Sequence, residues 1–215
     1  MDFMLGKRKK IPKNDNNFNS KNYWEQRYKN KGNSGSGSYN HLAIFKAEII
    51  NNFIKKNNIN SVIDYGVGDG NQLNLLDINN TKYTGIDVSP TVINKCKELF
   101  IKDKSKQFIL DSEINNNSAD LVLSCDVIYH LIEENVYYDY MKHLFTLANK
   151  YVIIYANNED INHTIHVKFR KFTDYINNNF KDWKLIEHIP NKYPQLIIGQ
   201  DNDNTSPSDF YIFEK

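Results

Sequence analysis

Apolar positions recur along this chain with two different spacings, and the change of spacing marks out its elements. Over HLAIFKAEIINNFIKKN, residues 41–57, Leu42, Phe45, Ile49 and Phe53 return every three or four positions and share one face of a helix. NYWEQRYKN, from residue 22, predicts a shorter helix before it, and the intervening KGNSGSGSYN predicts a flexible glycine-serine loop. From residue 61 short apolar runs alternate with helical ones: strand SVIDYG, a helix near 71–77, strand KYTGIDV, helix SPTVINKCKELF, strand KQFILD, strand ADLVLSC, a helix over 133–149 and strand KYVIIYA. Strands that are apolar throughout and separated by helices are buried on both faces, so the pattern predicts an α/β fold whose parallel sheet is covered on both sides. DWKLIEHIP and SDFYIFEK break the alternation. Between them lies only a connection punctuated by Pro194, Gly199 and Pro207, which predicts an antiparallel edge pair.

A chain of 215 residues is long enough to bury one core without staples, and no repeat or linker divides it. The expected organisation is a flexible basic, Asn-rich tail over 1–20 and a single domain over 21–215, with 21–58 as a helical cap on a core of 59–215. Charge adds little: 27 Lys and Arg against 26 Asp and Glu leave a formal +1, which excludes a strong whole-molecule field for nucleic acid or membrane. The one charge run, Lys7, Arg8, Lys9, Lys10 and Lys13, reads as part of a solvated tail. Cys96 and Cys125 fall inside a helix and a strand without metal-ligand spacing, which excludes a disulfide scaffold and a structural zinc site. No apolar run reaches the roughly 18 residues of a membrane span, and the start lacks a secretion signal. A soluble, cytoplasmic protein is expected, with no membrane partner.

Candidate chemistry begins at the glycines. Six of the nine lie in two clusters, 32/35/37 and 66/68/70. In VIDYGVGDGNQL the second cluster follows a strand and precedes the helix expected near 71–77, where glycine lets an extended ligand approach main-chain N–H groups. Asp64 stands two residues before Gly66, and the spacing is GxGxG rather than GxGxxG, which argues against a nicotinamide cofactor. Asp87 ends the next strand at the distance expected of a carboxylate that accepts from ribose hydroxyls, while Ser89 and Pro90 supply the cap and first position of the following helix. Asp111 ends the third strand, placed to accept from an adenine amino group.

The order VIDYGVGDG, YTGIDVS, FILDS, ADLVLSCDVIYHL resembles the class I S-adenosylmethionine-dependent methyltransferases. The resemblance implies a Rossmann-like sheet of seven strands in the order 3-2-1-4-5-7-6 with strand 7 antiparallel. It implies S-adenosyl-L-methionine as cofactor, with Asp64, Gly66, Gly68, Asp69, Gly70 and Gln72 about its methionine and ribose, Asp87 and Val88 at the ribose, and Asp111 and Ser112 at the adenine. Cys125 would form the opposite lip; Trp24 and Tyr28 would close over the cofactor with residues 36–38 as hinge, and for Trp24 packing on a helix face is the stronger alternative. Val67 departs from the small residue often found in that glycine loop. The N-terminal segment, DGNQL and DVIYHL are further similar to an uncharacterised bacterial-type subgroup, some of it associated with surface-polysaccharide genes.

In an open parallel sheet the ligand crevice forms where strand order reverses, here between the first and fourth strands, so Asp126 to His130 should face the reactive methyl. Two readings of His130 stay open: a general base or acceptor-positioning group, and a structural residue of the turn before the next helix. Asp126 likewise contacts the cofactor's amino group, orients a neighbour or caps a helix, and Tyr129 reads as wall. Further on, NHTIHVKFRKFTDYI carries His163, His166, Lys168, Arg170 and Lys171. His166 and Arg170 are candidates for holding an anionic or hydroxyl-rich acceptor, with an exposed basic loop and helix start as the alternative. His163 and His166 lack further ligands, so no metal is expected. The activity expected is O-methylation of a small polar acceptor such as a sugar or nucleotide-sugar, with His130 or His166 as base. The alternatives are methylation of RNA, at a cap or base, for which the near-zero charge is unfavourable, and a non-catalytic cofactor-binding subunit. Oligomeric state has no signal in the sequence.

Overall fold

The computed structural model describes residues 18–78, 81–115 and 117–215. The basic run from Lys7 to Lys13 lies outside the described residues, as do Asn116 and the side chain of His163. In chain order the elements are α1 (Ser20–Lys29), α2 (Asn40–Lys56), β1 (Ser61–Tyr65), β2 (Lys82–Asp87), α3 (Pro90–Leu99), β3 (Lys106–Leu110), β4 (Ala119–Cys125), α4 (Glu134–Thr146), β5 (Ala148–Ala156), β6 (Asn162–Thr164), β7 (Val167–Lys168), α5 (Phe172–Asn179), β8 (Lys184–Ile189) and β9 (Asp209–Glu214).

Seven of these strands form one sheet in the order β3-β2-β1-β4-β5-β9-β8. Strands β1 to β5 run parallel, and β9 is antiparallel to both β5 and β8. Because β6 and β7 pair only with each other, β8 and β9 are the sheet's sixth and seventh strands, and the order is the expected 3-2-1-4-5-7-6. The small β6–β7 hairpin stands where the sequence predicts a basic loop.

Side chains alternate across the sheet, as the period of two requires. Val62, Leu121, Leu123, Ile153 and Tyr155 point to the face covered by α2 and α3, against Ile50, Phe53 and Ile93. Ile63, Tyr65, Val122, Val152 and Ile154 point to the other face, against Met141 and Leu144 of α4 and Phe172 of α5. Both faces are buried, which explains why the strands read as continuous apolar runs.

One expected element is missing. The helix near 71–77 is a single 3-10 turn over Leu73–Leu75. Its polar residues bond elsewhere: the Asn71 amide donates to Asp69 Oδ1 at 3.2 Å, and the Asp77 amide donates to Asn51 Oδ1 of α2 at 2.8 Å. Asn51 Nδ2 in turn donates to the Leu75 carbonyl at 3.0 Å. Asn and Asp favour such side-chain bonds over a helix ladder, and here a partner from α2 completes them. The glycine loop therefore has no helix N-terminus behind it. Helix α4 also ends earlier than predicted, because Ala148 already pairs with Ala119 in the sheet.

Candidate active site

Strand order reverses between β1 and β4, and the chain leaves β1 through a loop that only glycine accommodates easily. Gly66 and Gly68 have φ of 104° and 58°. A Cβ on Gly66 would run into Val127, and one on Gly68 into Ser34 Oγ, so the loop is closely overlaid from both sides. The Gly66 and Val67 amides donate to the Ile86 carbonyl at 2.7 and 3.0 Å, which turns the loop back over β2. The end of β2 then presents Asp87, whose carboxylate accepts from the Gly68 amide at 3.1 Å and the Ser89 amide at 3.0 Å. Burial pushes its pKa up to about 6, against the lowering effect of those amides. Asp64 is buried beside it and accepts from the Tyr83 hydroxyl at 2.8 Å; burial raises it to about 6 as well, opposed by Tyr83 and by Lys46. Ser89 caps α3 through the Val92 amide at 3.2 Å, leaving Asp87 clear of that task.

These groups line a cavity of about 900 Å³ including its open mouth. Of the residues expected at a cofactor, Trp24, Tyr28, Asp64, Gly66, Gly68, Gln72, Asp87, Val88 and Cys125 line it. Four do not. Asp69 is engaged by the Tyr39 hydroxyl at 2.6 Å and the Ser34 amide at 3.1 Å, with its own amide donating to Ser34 Oγ at 2.9 Å. Gly70 packs beneath Phe100 and Cys96. Asp111 accepts from the hydroxyl of Tyr65, which does line the cavity, and Ser112 is exposed.

A second cavity adjoins the first and shares Trp24, Ser34, Asp126 and His130 with it. Its remaining walls come from the glycine-serine segment 34–37, the β6–β7 hairpin including His166, and the connection before β9, including Gln195, Asn202 and Thr205. His130 sits at the junction, in a 3-10 turn over Ile128–His130. Its Nδ1 lies 3.0 Å from the His166 carbonyl oxygen. A carbonyl only accepts, so Nδ1 carries the proton and Nε2 keeps its lone pair. Burial lowers the imidazole to about 4, with the bond to His166 acting the other way. The ring is edge-on to Trp24 at 4.9 Å and parallel to the His166 ring at 6.1 Å.

The cofactor suggested by the sequence fits this arrangement on the structure's own terms. Asp87 offers a carboxylate with amide donors behind it, the two glycines leave space that a Cβ would fill, and Gln72 Oε1 is buried beside the cavity with no protein partner. Residues 63–146, which run from β1 through His130 to the end of α4, match a family model described as a methyltransferase domain. The chain carries a methyltransferase domain with the strand order of the class I S-adenosylmethionine-dependent fold. Solved structures similar to it share the fold at low identity. The N-methyltransferase NodS from Bradyrhizobium japonicum WM9, in complex with S-adenosyl-L-homocysteine, is 14% identical with a TM-score of 0.71, covering 92% of this chain and 99% of that one. The methyltransferase domain of bacterial CtHen1-C is 22% identical with a TM-score of 0.61, covering 81% and 98%. Magnesium protoporphyrin IX methyltransferase, ChlM, from Synechocystis PCC 6803 is 13% identical with a TM-score of 0.64, covering 91% and 97%. No curated protein sequence matches this chain.

The lip between the two cavities is held by a buried ion pair that the sequence reading missed. Lys46 of α2 is 1% exposed, and its Nζ lies 2.6 Å from Asp126 Oδ2 and 5.3 Å from the Tyr155 ring centre. Asp126 also accepts from the Tyr129 hydroxyl at 2.8 Å and sits at φ 59°, a left-handed conformation that Asp tolerates better than most residues. It orients its neighbours; the 3-10 turn beside it has no side-chain cap. A signal was present, since Leu42, Lys46 and Ile50 form one i, i+4 row on a face that is otherwise apolar. Arg170 stands apart from both cavities: its guanidinium donates to the Leu131 and Ile132 carbonyls at 2.8 and 3.2 Å, pairs with Glu134 at 3.3 Å and lies 4.3 Å from the Tyr137 ring centre. No helix of the described residues is long and apolar enough to cross a membrane, and they contain no cluster of three or more metal-ligating side chains.

Proposed function

We propose that this methyltransferase transfers a methyl group to a hydroxyl of a small polar acceptor, a sugar or nucleotide-sugar, with His130 as general base. The observation that carries the reading is the tautomer of His130, fixed by the His166 carbonyl, on a ring lodged between the cofactor cavity and a second one of mixed polar and apolar walls. When bound, S-adenosylmethionine supplies a methyl group on a sulfonium, open to in-line displacement. The chain's own part is alignment and proton handling. Asp87 and the space left open at Gly66 and Gly68 hold one reactant, the walls of the second cavity orient the other, and His130 Nε2 accepts the hydroxyl proton as the new C–O bond forms and the bond from the methyl carbon to the sulfonium sulfur breaks. The depressed pKa keeps that lone pair available throughout the physiological range. The negative charge of Asp126 favours the imidazolium once it forms.

A cavity that mixes polar groups with aromatic rings suits a sugar, whose hydroxyls bond while its C–H faces stack. Of the two basic groups that favour RNA, the tail from Lys7 to Lys13 lies outside the described residues, and the cluster from Lys168 to Lys171 has acidic partners: Lys168 and Arg170 pair with Glu134, and Lys171 pairs with Asp174 at 3.0 Å. The acceptor is taken from the cytoplasm on this reading, consistent with two free thiols. The test is methyl transfer from labelled cofactor to sugars, nucleotide-sugars and short RNAs, with His130→Ala alongside wild type. We expect transfer to sugar hydroxyls, reduced at least 100-fold in His130→Ala, with S-adenosylhomocysteine affinity within threefold of wild type. Signal on RNA alone, or a variant that transfers normally, would refute it.

A further inference from the structure

We propose that Arg27 binds an anionic group of the acceptor, a phosphate, which makes the acceptor a small phosphorylated hydroxyl compound of the sugar phosphate or nucleotide-sugar class. The hydroxyl in that statement rests on the reading above; the anion site stands on its own observations. The fixed charges of the two cavities are opposite in sign. The cofactor cavity carries Asp64 and Asp87, which suit a cationic sulfonium. In the acceptor cavity the carboxylate among the described residues is Asp126, and Lys46 already answers it at 2.6 Å. His130 is neutral there, because burial lowers its pKa to about 4. The guanidinium of Arg27 remains.

Arg27 differs from the other cations near the two cavities. Lys46, Lys168, Arg170 and Lys171 each have a carboxylate partner, whereas none of the ion pairs among the described residues includes Arg27. Asp203, close by in an adjoining hollow, is bonded by the Ser36 hydroxyl at 2.5 Å. The Arg27 fork is nonetheless fixed in place. Nε donates to the Asn33 carbonyl at 2.6 Å, Nη2 approaches Asn33 Oδ1 at 3.3 Å, and the guanidinium carbon lies 5.7 Å from the Trp24 ring centre. A guanidinium has five N–H donors, so this anchoring on one edge leaves others for the two-point recognition that phosphate oxygens favour. Tyr23 and His166, stacked at 5.2 Å on the same wall, offer ring faces beside it, and Asn202 and Thr205 offer polar groups to the remainder of such a molecule.

Inorganic pyrophosphate is the probe, titrated calorimetrically into the full chain in the presence of saturating S-adenosylhomocysteine. Wild type is expected to bind it, Arg27→Gln at least tenfold more weakly, and Arg27→Lys in between, since lysine keeps the charge without the fork. S-adenosylhomocysteine affinity within twofold across all three proteins shows that the segment anchored by Asn33 is intact. No binding to wild type, or equal binding to wild type and Arg27→Gln, overturns the proposal. Failure of the O-methylation reading looks different: loss of pyrophosphate binding in Arg27→Gln with no hydroxyl compound methylated keeps the anion site and removes the reaction. Neutral sugars methylated as well as phosphorylated ones, with a KM that Arg27→Gln leaves unchanged, would do the reverse. Displacement of pyrophosphate by short RNA but not by sugar phosphates overturns the small-acceptor class.

Discussion

Replacing Lys46 by methionine keeps the length of the side chain and removes its charge from a site where that charge has a single close counterion. The Lys46 side chain is 1% exposed and that of Asp126 15%, so water can replace only part of what the ammonium supplies. Breaking a buried pair from one side leaves the other charge uncompensated, which typically costs about 3–5 kcal/mol. In a chain of this size each kcal/mol shifts Tm by roughly 2–4 °C, so Lys46→Met should melt roughly 6–20 °C below wild type. The stranded carboxylate keeps the Tyr129 hydroxyl at 2.8 Å and the more distant Ser208 hydroxyl at 3.4 Å, which places the expected loss toward the lower end. Asp126→Asn in the same background removes the stranded charge, so the double variant should be more stable than Lys46→Met alone. Denaturant unfolding of the four proteins gives the cycle. Lys46→Met unfolding within 1 kcal/mol of wild type, or a double variant whose cost equals the sum of the single ones, would show that the pair is not the strut we describe.

Other outcomes follow from the same geometry. Gly68→Ala combines a left-handed φ of 58° with a Cβ that displaces Ser34 Oγ, so we expect a loss of about 1–3 kcal/mol on melting and at least tenfold weaker S-adenosylhomocysteine binding; unchanged affinity would mean the loop can move aside for a Cβ. Asp87 and Asp64 are raised by burial to about 6, so in the ligand-free chain each holds its proton more tightly than when unfolded and favours folding less as pH rises from about 4 through 6. A ribose diol bonds best to the ionised form, so cofactor affinity should fall below about pH 6, by up to roughly tenfold per unit for one proton, with Asp87→Asn weaker at neutral pH and flatter; a flat wild-type profile in calorimetry would contradict this. Arg170→Ala should lower stability by about 3 kcal/mol while leaving the KM for S-adenosylmethionine within twofold, since its bonds run to the Leu131 and Ile132 carbonyls and not to either cavity. A large KM change with normal melting would return Arg170 to the substrate.

What the sequence made legible was local. The strands and α3 announce themselves through spacing and through Ser89 with Pro90, and the carboxylate at the end of β2 follows from the strand's own length. The short turn at Leu73–Leu75 was illegible because its competitor is Asn51, more than twenty residues earlier in the chain. Arg170 resembles a ligand-binding cation in sequence, and only the fold brings Glu134 and two carbonyls to it. Arg27 gave no signal, since α1 is largely polar and one more charge on it looks like a solvated face. The general difficulty is one of pairing. A side chain's chemistry is set by what remains after its partners are counted, and partners distant in sequence cannot be counted from composition.

The N-terminal segment illustrates how one stretch of chain ties both cavities together. Glu25 of α1 accepts from the Ser89 hydroxyl at 2.5 Å and the Thr91 hydroxyl at 2.9 Å, holding α1 to the start of α3 just beyond Asp87. Partial burial acts to raise its pKa, yet Ser89, Thr91 and Lys29 outweigh this and bring the carboxylate to about 2. Asp87, two residues from Ser89 but without a cation of its own, stays near 6. The tether therefore stays ionised over the range in which Asp87 titrates, so acidification should weaken cofactor binding before it detaches α1. The same helix brings Trp24 against His130 and Arg27 into the second cavity, and Ser34 just after it accepts from the Asp69 amide at the glycine loop. Loosening that segment would disturb both cavities at once, whereas a change confined to Arg27's outward-facing donors would disturb only the second.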